Sequence, residues 1–311
     1  MSEPSERVRA LATEREAARA AKDFAKADAL RAQIEAEGFV VKDSASGPQL
    51  EPAPRATATQ GAPRFATVDA AAILNALAGA PACEVSFHLL YEGFKEDLER
   101  FLAGFRAHND TTKTELVVVD NASGDGEWIE TLDGVRAIHL ATQTGWAQAR
   151  NAGIKTSAGR IVVLVDLSIE PAGDVVAPLL EVFDDPKVGV AGPFGLVSDS
   201  MREWEPTDGP AADAIEGYFL AVRREALAQG LVHEKFRWYR NADIDLSFQV
   251  RALGYEARVV PLPVVKHAHR GWESVPEPER SKRSKRNHYL FFGRWKDRPD
   301  LLLRHHRGTP A

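Results

Sequence analysis

Two unbroken apolar runs, each stopped by an aspartate, constrain this chain more than anything else in it. Leu116–Val119 ends at Asp120, and Ile161–Val165 ends at Asp166. Neither run alternates polar with apolar residues, the pattern of strands covered on both faces in a parallel sheet. The turn formers Asn121–Gly126 follow the first run, and a helix-length segment starting near Trp146 separates the two. In an open α/β sheet the carboxyl ends of such strands line the ligand crevice. Two carboxylates there, beside glycine-rich backbone, point to a nucleotide or a nucleotide-bound metal. Either aspartate alone could equally be a solvated helix cap. The pair favours the crevice, because a glycine loop rather than a helix follows Asp120.

The surrounding pattern predicts strands over Val85–Leu90, Glu115–Asp120, Val135–Leu140, Ile161–Val165 and Val188–Ala191. Helices are expected around Leu98–Phe105 and over Trp146–Ser157 and Val175–Phe183, and a short one over Asp69–Gly79. This alternation gives an α/β class with a mostly parallel central sheet and helices on both faces. Regularity fades in residues 195–240, which read as long loops and irregular strands. It returns in a helix over Ala242–Leu253 and a strand over Ala257–Val260.

The formal charge of −6 argues against extended nucleic acid as the main partner, since phosphate binding needs concentrated basic surface. With Cys83 as the single cysteine, neither an intramolecular disulfide nor a zinc cluster of cysteines can form. No stretch reaches 18 apolar residues and the amino terminus lacks a signal-peptide core, so a cytoplasmic location is expected.

Residues 1–47 read as a helical hairpin, 48–64 as a Pro/Ala-rich linker, 65–275 as the α/β domain and 276–311 as a basic aromatic tail. Gly38 is a natural cap for the second hairpin helix, and the helices should meet near Lys22–Asp23. Arg15, Ala18, Arg19, Lys22, Asp23, Phe24, Ala27, Asp28, Leu30, Arg31, Gly38, Asp43 and Gly47 stand in an order that resembles the carboxy-terminal helical segment of cysteinyl-tRNA synthetases. That resemblance covers about the first 48 residues and implies contact with RNA. Balanced charge and the lack of an aromatic stacking platform favour docking or self-association instead. From Val265 to the end, 12 Lys or Arg stand against 5 Asp or Glu. A solvated tail, closure over a diphosphate, and peripheral attraction to the anionic inner face of a membrane all fit that excess.

The loop Asp120–Gly126, the segment Gly145–Ile154, Ala158–Gly159 before Ile161–Asp166, and Asp243–Leu246 with Arg251 and Gly254 occur in one order. Together they resemble the family 2 nucleotide-sugar glycosyltransferases, of GT-A fold, over about residues 82–270. The resemblance implies a nucleoside-diphosphate sugar donor and a carbohydrate or other hydroxyl acceptor. It sets Leu89, Tyr91 and Glu92 over the donor nucleoside, with Asp120 accepting a hydrogen bond from base or ribose and Ser123 in the same loop. Arg150, Asn151 and Gly153 would lie beside the nucleotide. Asp166, Leu167 and Ser168 occupy the family's Asp-x-Asp element, with a serine at the second carboxylate. Asp166 and His267 would hold Mg²⁺ or Mn²⁺, with Glu170 near enough to assist; His269 is a second candidate. Glu216, Gly217, Tyr218 and Trp238 would face the acceptor; Trp204, Trp238 and Tyr239 could stack on sugars or equally pack in the core or at the surface. Asp243 would be the general base of an inverting transfer, while Asp245 points elsewhere. The alternatives are a catalytically reduced sugar-nucleotide-binding protein, which the missing second carboxylate suggests, and an RNA-associated adaptor working through the amino-terminal hairpin.

Overall fold

A computed structural model describes residues 4–21, 23–36, 39–44, 47–52 and 65–304. The chain divides into two compact units, residues 1–63 and 64–311. In the first, α1 (Glu6–Ala20) and α2 (Phe24–Ala36) form the expected hairpin. Ser5 caps α1 by accepting a hydrogen bond from Val8 N at 3.3 Å. A β-hairpin follows, of β1 (Phe39–Ser44) and β2 (Gly47–Pro52), and Phe39 and Val41 share a small core with Val8, Ala12 and Ile34. The strand β2 takes up the first residues assigned to the linker, and Gly47 enters it at φ +105°, a backbone setting that favours glycine. The rest of the linker, 53–64, lies outside the described residues, as do Lys22 and the proposed cap Gly38.

The second unit is built on a nine-stranded sheet. In chain order it contributes β3 (Thr67–Val68), β4 (Cys83–Tyr91), α3 (Lys95–His108), β5 (Thr114–Asp120), β6 (Val135–Leu140), α4 (Trp146–Thr156) and β7 (Gly159–Val165). There follow β8 (Ile169–Pro171), α5 (Val176–Phe183), β9 (Val188–Gly192), β10 (Gly195–Val197), β11 (Glu205–Thr207), β12 (Ala211–Ala212), β13 (Ala214–Ile215) and β14 (Phe219–Arg223). The last elements are α6 (Arg224–Gln229), α7 (Ala242–Ala252), β15 (Glu256–Val259), β16 (Val264–Lys266), α8 (Arg270–Glu273) and α9 (Glu277–Trp295). The sheet order is β12-β15-β9-β14-β7-β4-β5-β6-β3. Strands β3 to β7 run parallel; β14 is antiparallel to both neighbours and stands in the middle of the sheet, because Phe219–Val222 are apolar on both faces.

Two expectations are corrected here. No helix covers Asp69–Gly79: Asp69 instead accepts from Ala71 N at 2.8 Å, and the Arg224 guanidinium takes the carbonyls of Ala76, Leu77 and Gly79 that a helix would use. Nor are residues 276–311 simply a tail. Residues 277–295 are one helix, α9, whose Phe291 and Trp295 join the core beneath α7 with Phe248. Each such burial stabilises by about 2–3 kcal/mol. Residues 305–311 lie outside the described part. Asp245 pins the two helices together: it accepts from Trp295 Nε1 at 2.7 Å and Gln249 Nε2 at 2.8 Å, and Arg294 Nε lies at 3.2 Å. Among the described residues no helix is long and apolar enough to cross a membrane.

Candidate functional site

Two clefts adjoin at the carboxyl ends of β4 and β7. One, of 380 Å³, is lined by Leu90 and Glu92 at the end of β4, by Asp166, Leu167 and Ser168 after β7, and by Arg237, Arg270 and Arg283. The other, of 460 Å³, is lined by Glu216, Gly217 and Tyr218 ahead of β14, and by Asp243 and Ile244 at the start of α7. Trp146, Arg150, Asp166, Tyr239 and His269 line both.

Asp166 sits where strand β7 ends and the chain turns. Its Oδ1 accepts from Ser168 N at 2.9 Å and from Ser168 Oγ at 2.5 Å, and its Oδ2 lies 3.0 Å from His269 Nε2. Burial pushes this carboxyl up, but His269 and Ser168 outweigh it and hold it at about 2. Burial alone would lower the His269 imidazole; Asp166 raises it instead. The serine in place of the second carboxylate therefore orients the first. Tyr239 stacks on the His269 ring at 4.7 Å and fixes its plane. Beneath both clefts the buried Arg150 donates to the carbonyls of His88 and Val165, each at 2.9 Å, tying the ends of β4 and β7 together. Burial lowers it to about 10, against the pull of Asp166 and Glu92.

Asp243 opens α7 just after Asn241, which takes φ +63°. Its Oδ2 accepts from Gly217 N at 2.7 Å and its Oδ1 from Ile244 N at 2.9 Å. Burial raises this carboxyl, and the two backbone N–H groups and Arg240 oppose the rise. Gly217 allows that approach: a Cβ there would stand 3.1 Å from the Asp243 Cβ. Glu216, next to it, is also raised, by burial and then by Asp243.

Several residues expected at the donor line neither cleft. Leu89 is fully buried in the core under α3, since alternation along β4 turns Leu90 to the cleft instead. Tyr91 donates to Asp125 at 3.0 Å and is packed edge-on against Trp128. Asp120 lines neither cleft: its Oδ1 accepts from Ser123 N at 2.9 Å, and its Oδ2 pairs with His139 Nδ1 at 2.9 Å. Ser123 is spent on that turn. Asn151 clamps the Val232 backbone, its amide nitrogen donating to Val232 O and its amide oxygen accepting from Val232 N, and a side chain at Gly153 would overlap the His88 ring. Their segment shapes the scaffold, with Arg150 alone of the three reaching the clefts. His267 pairs with Glu170 at 2.6 Å across β8 and β16, so the histidine beside Asp166 is His269. Trp238, expected at the acceptor, lines the cleft of Asp166, Leu167 and Ser168 and not the one beside Asp243. Sequence reasoning missed Arg237, Arg270 and Trp272 at the site; only charge and aromaticity in irregular segments marked them. Among the described residues no group of three or more His, Cys, Asp or Glu side chains is arranged to hold a metal ion.

A mostly parallel sheet with paired clefts at its carboxyl edge, a carboxylate–histidine pair in one wall and a helix-start carboxylate in the other define a nucleotide-sugar type of α/β fold. The chain belongs to glycosyl transferase family 2, whose model matches residues 91–246. Residues 1–49 match the cysteinyl-tRNA ligase anticodon binding domain. An N-acetylglucosaminyltransferase of Bradyrhizobium elkanii is 29% identical over 121 residues, 36% of this chain and 66% of that protein. The cysteine–tRNA ligase of Latilactobacillus sakei is 55% identical over 40 residues, 13% of this chain and 8% of the ligase. Among solved structures, GalNAc-T7 with UDP, GalNAc and Mn²⁺ superposes at TM-score 0.58 and 18% identity, over 70% of this chain and 50% of that one. The mannosyltransferase PcManGT from Pyrobaculum calidifontis with GDP-Man and Mn²⁺ gives 0.52 and 20%, over 74% and 70%. At such identities these two speak for the fold. The chain thus spans 50% to 70% of three of these proteins and 8% of the ligase.

Proposed function

We propose that the protein moves a glycosyl group, with inversion, from a nucleoside-diphosphate sugar to an acceptor hydroxyl. The observation that carries this is the shared wall: a donor in the cleft of Asp166, Leu167 and Ser168 and an acceptor beside Asp243 meet across Tyr239, His269 and Arg150. Asp243 takes the proton of the acceptor hydroxyl as that oxygen bonds to the anomeric carbon, and the bond to the nucleoside diphosphate breaks. A carboxyl raised by burial accepts a proton more readily than a solvated one, which suits this task. The Gly217 and Ile244 N–H groups hold it in one orientation. Arg237, Arg270 and Arg283 face the negative charge of the departing diphosphate, and Glu92 stands where a ribose or base donor can reach it.

A divalent cation, present in both solved structures named above, would be held here by Asp166 and His269. In this structure the two are joined by a 3.0 Å hydrogen bond, and His269 would ligate only after giving up that proton. When bound, such an ion supplies further positive charge to the leaving group. The serine at 168 keeps a second reading in view, a sugar-nucleotide binder with reduced turnover. Incubation with UDP-, GDP- and dTDP-sugars, with and without Mn²⁺, separates the two. Release of nucleoside diphosphate that Asp243→Asn abolishes supports transfer; binding with no release at any donor supports the reduced binder.

A further inference from the structure

We infer that the acceptor is a neutral saccharide, resting on Trp204 through the apolar face of its ring and held through a second hydroxyl by Glu216. This rests on the transfer reading above and deepens it by naming the substrate class. Beyond the wall shared with the donor, the 460 Å³ cleft is closed by Leu196, Trp204, Pro206 and Ile244. Trp204 is a fixed platform: its indole meets Phe248 of α7 and Phe291 of α9 edge-on, with centroids 5.8 and 5.9 Å away. A pyranose offers such a surface one flat C–H face and needs, around its rim, groups that orient hydroxyls.

Glu216 is the group that orients them. Its carboxylate has no hydrogen-bond partner among the described residues, although it is half-buried in the cleft wall one residue from the Gly217 N–H that holds Asp243. An ionised carboxylate only accepts, so its natural partner is a hydroxyl next to the one that Asp243 deprotonates. A half-buried carboxylate facing only hydrocarbon would be costly, which argues against a plain long-chain alcohol in this position. Anionic acceptors are disfavoured as well. Asp243 and Glu216 stand in this part of the cleft against Arg240, whose guanidinium lies 5.5 Å over Trp272. Lys266 moderates Glu216 but is occupied 3.3 Å over the Tyr218 ring and does not line the cleft.

The test is saturation-transfer NMR on the full chain with UDP or GDP present. The probes are the methyl glycosides of glucose, galactose, mannose and N-acetylglucosamine, methyl glucuronide, and octanol. At least one neutral glycoside should take up saturation, with Trp204→Ala abolishing the signal and Glu216→Gln weakening its Kd about tenfold. Because Trp204 is packed against α7 and α9, the Glu216 variant carries the test alone if Trp204→Ala does not fold. The inference is overturned if octanol or the glucuronide binds in preference to every neutral glycoside, or if glycoside binding is indifferent to both variants. Nucleotide signal without any glycoside signal overturns the acceptor class alone. Absence of nucleotide signal overturns the transfer reading beneath it.

Discussion

Replacing Asp245 by Asn should change the way stability depends on pH. The side chain has 0% exposure, and burial raises its carboxyl from the ordinary 3.8 to about 6, against the opposing pull of Arg294, Trp295 and Gln249. The folded chain therefore holds this proton more tightly than the unfolded chain. The contribution is fully present below 3.8 and is lost as pH rises through about 6. At about 1.4 kcal/mol per pH unit, the interval from 3.8 to about 6 corresponds to about 3 kcal/mol. The Asn variant loses part of the bonding to Trp295, Arg294 and Gln249, but that offset does not vary with pH. Urea unfolding of both proteins at a series of pH values isolates the varying part. Wild-type stability minus variant stability should decline by about 3 kcal/mol from about pH 4 to about pH 7 and then stay level. Parallel profiles would refute the burial argument, and a difference that grew with pH would mean that Arg294 outweighs burial.

Asp243→Asn should cut transfer by at least about 10²-fold, measured as product formation. It should also lower the melting temperature, because an amide offers one oxygen where Gly217 and Ile244 both donate. In calorimetric titration with nucleoside diphosphate, His269→Ala should remove the Mn²⁺-dependent part of the affinity and His267→Ala should leave it, since only the former stands beside Asp166. Arg283→Ala should weaken nucleoside diphosphate binding more at low salt than at high salt, as expected of a cation in the cleft proposed for the donor; equal loss at both salts would count against it. A chain starting at Arg64 should keep cooperative melting and donor binding, in keeping with the compactness of residues 64–311.

Strands β5 and β7 were legible because apolar runs stopped by an aspartate leave few other arrangements. They, with β6 and β9, fall within a residue or two of expectation. Strand β14 was not recognised, although Phe219–Val222 is an apolar run of the same kind, because the glycine and polar residues before it suggested a loop. At the site, motif order led to Asp166 and Asp243 but could not separate lining residues from supporting ones. Asp120 and Asp166 look alike in sequence, yet one is consumed by His139 and Ser123 while the other faces both clefts. Nor does spacing tell His267 from His269: β16 turns the first toward Glu170, and the chain then delivers the second to Asp166. The choice between the histidines depends on pairings between segments about a hundred residues apart. The basic run 281–286 similarly concealed that α9 has an inner face, which brings Arg283 over Trp238 at 4.8 Å.

The seating of Trp204 on Phe248 and Phe291 has a consequence for anyone hoping to redirect this protein to a new acceptor. Grafting only the segment between β10 and β14 from a relative would set a foreign loop on a foundation shaped for another indole. The exchangeable cassette is therefore discontinuous: it comprises that loop, the face of α7 carrying Phe248, and α9. Libraries that diversify positions 204, 248 and 291 together should retain more folded members than libraries that vary position 204 alone.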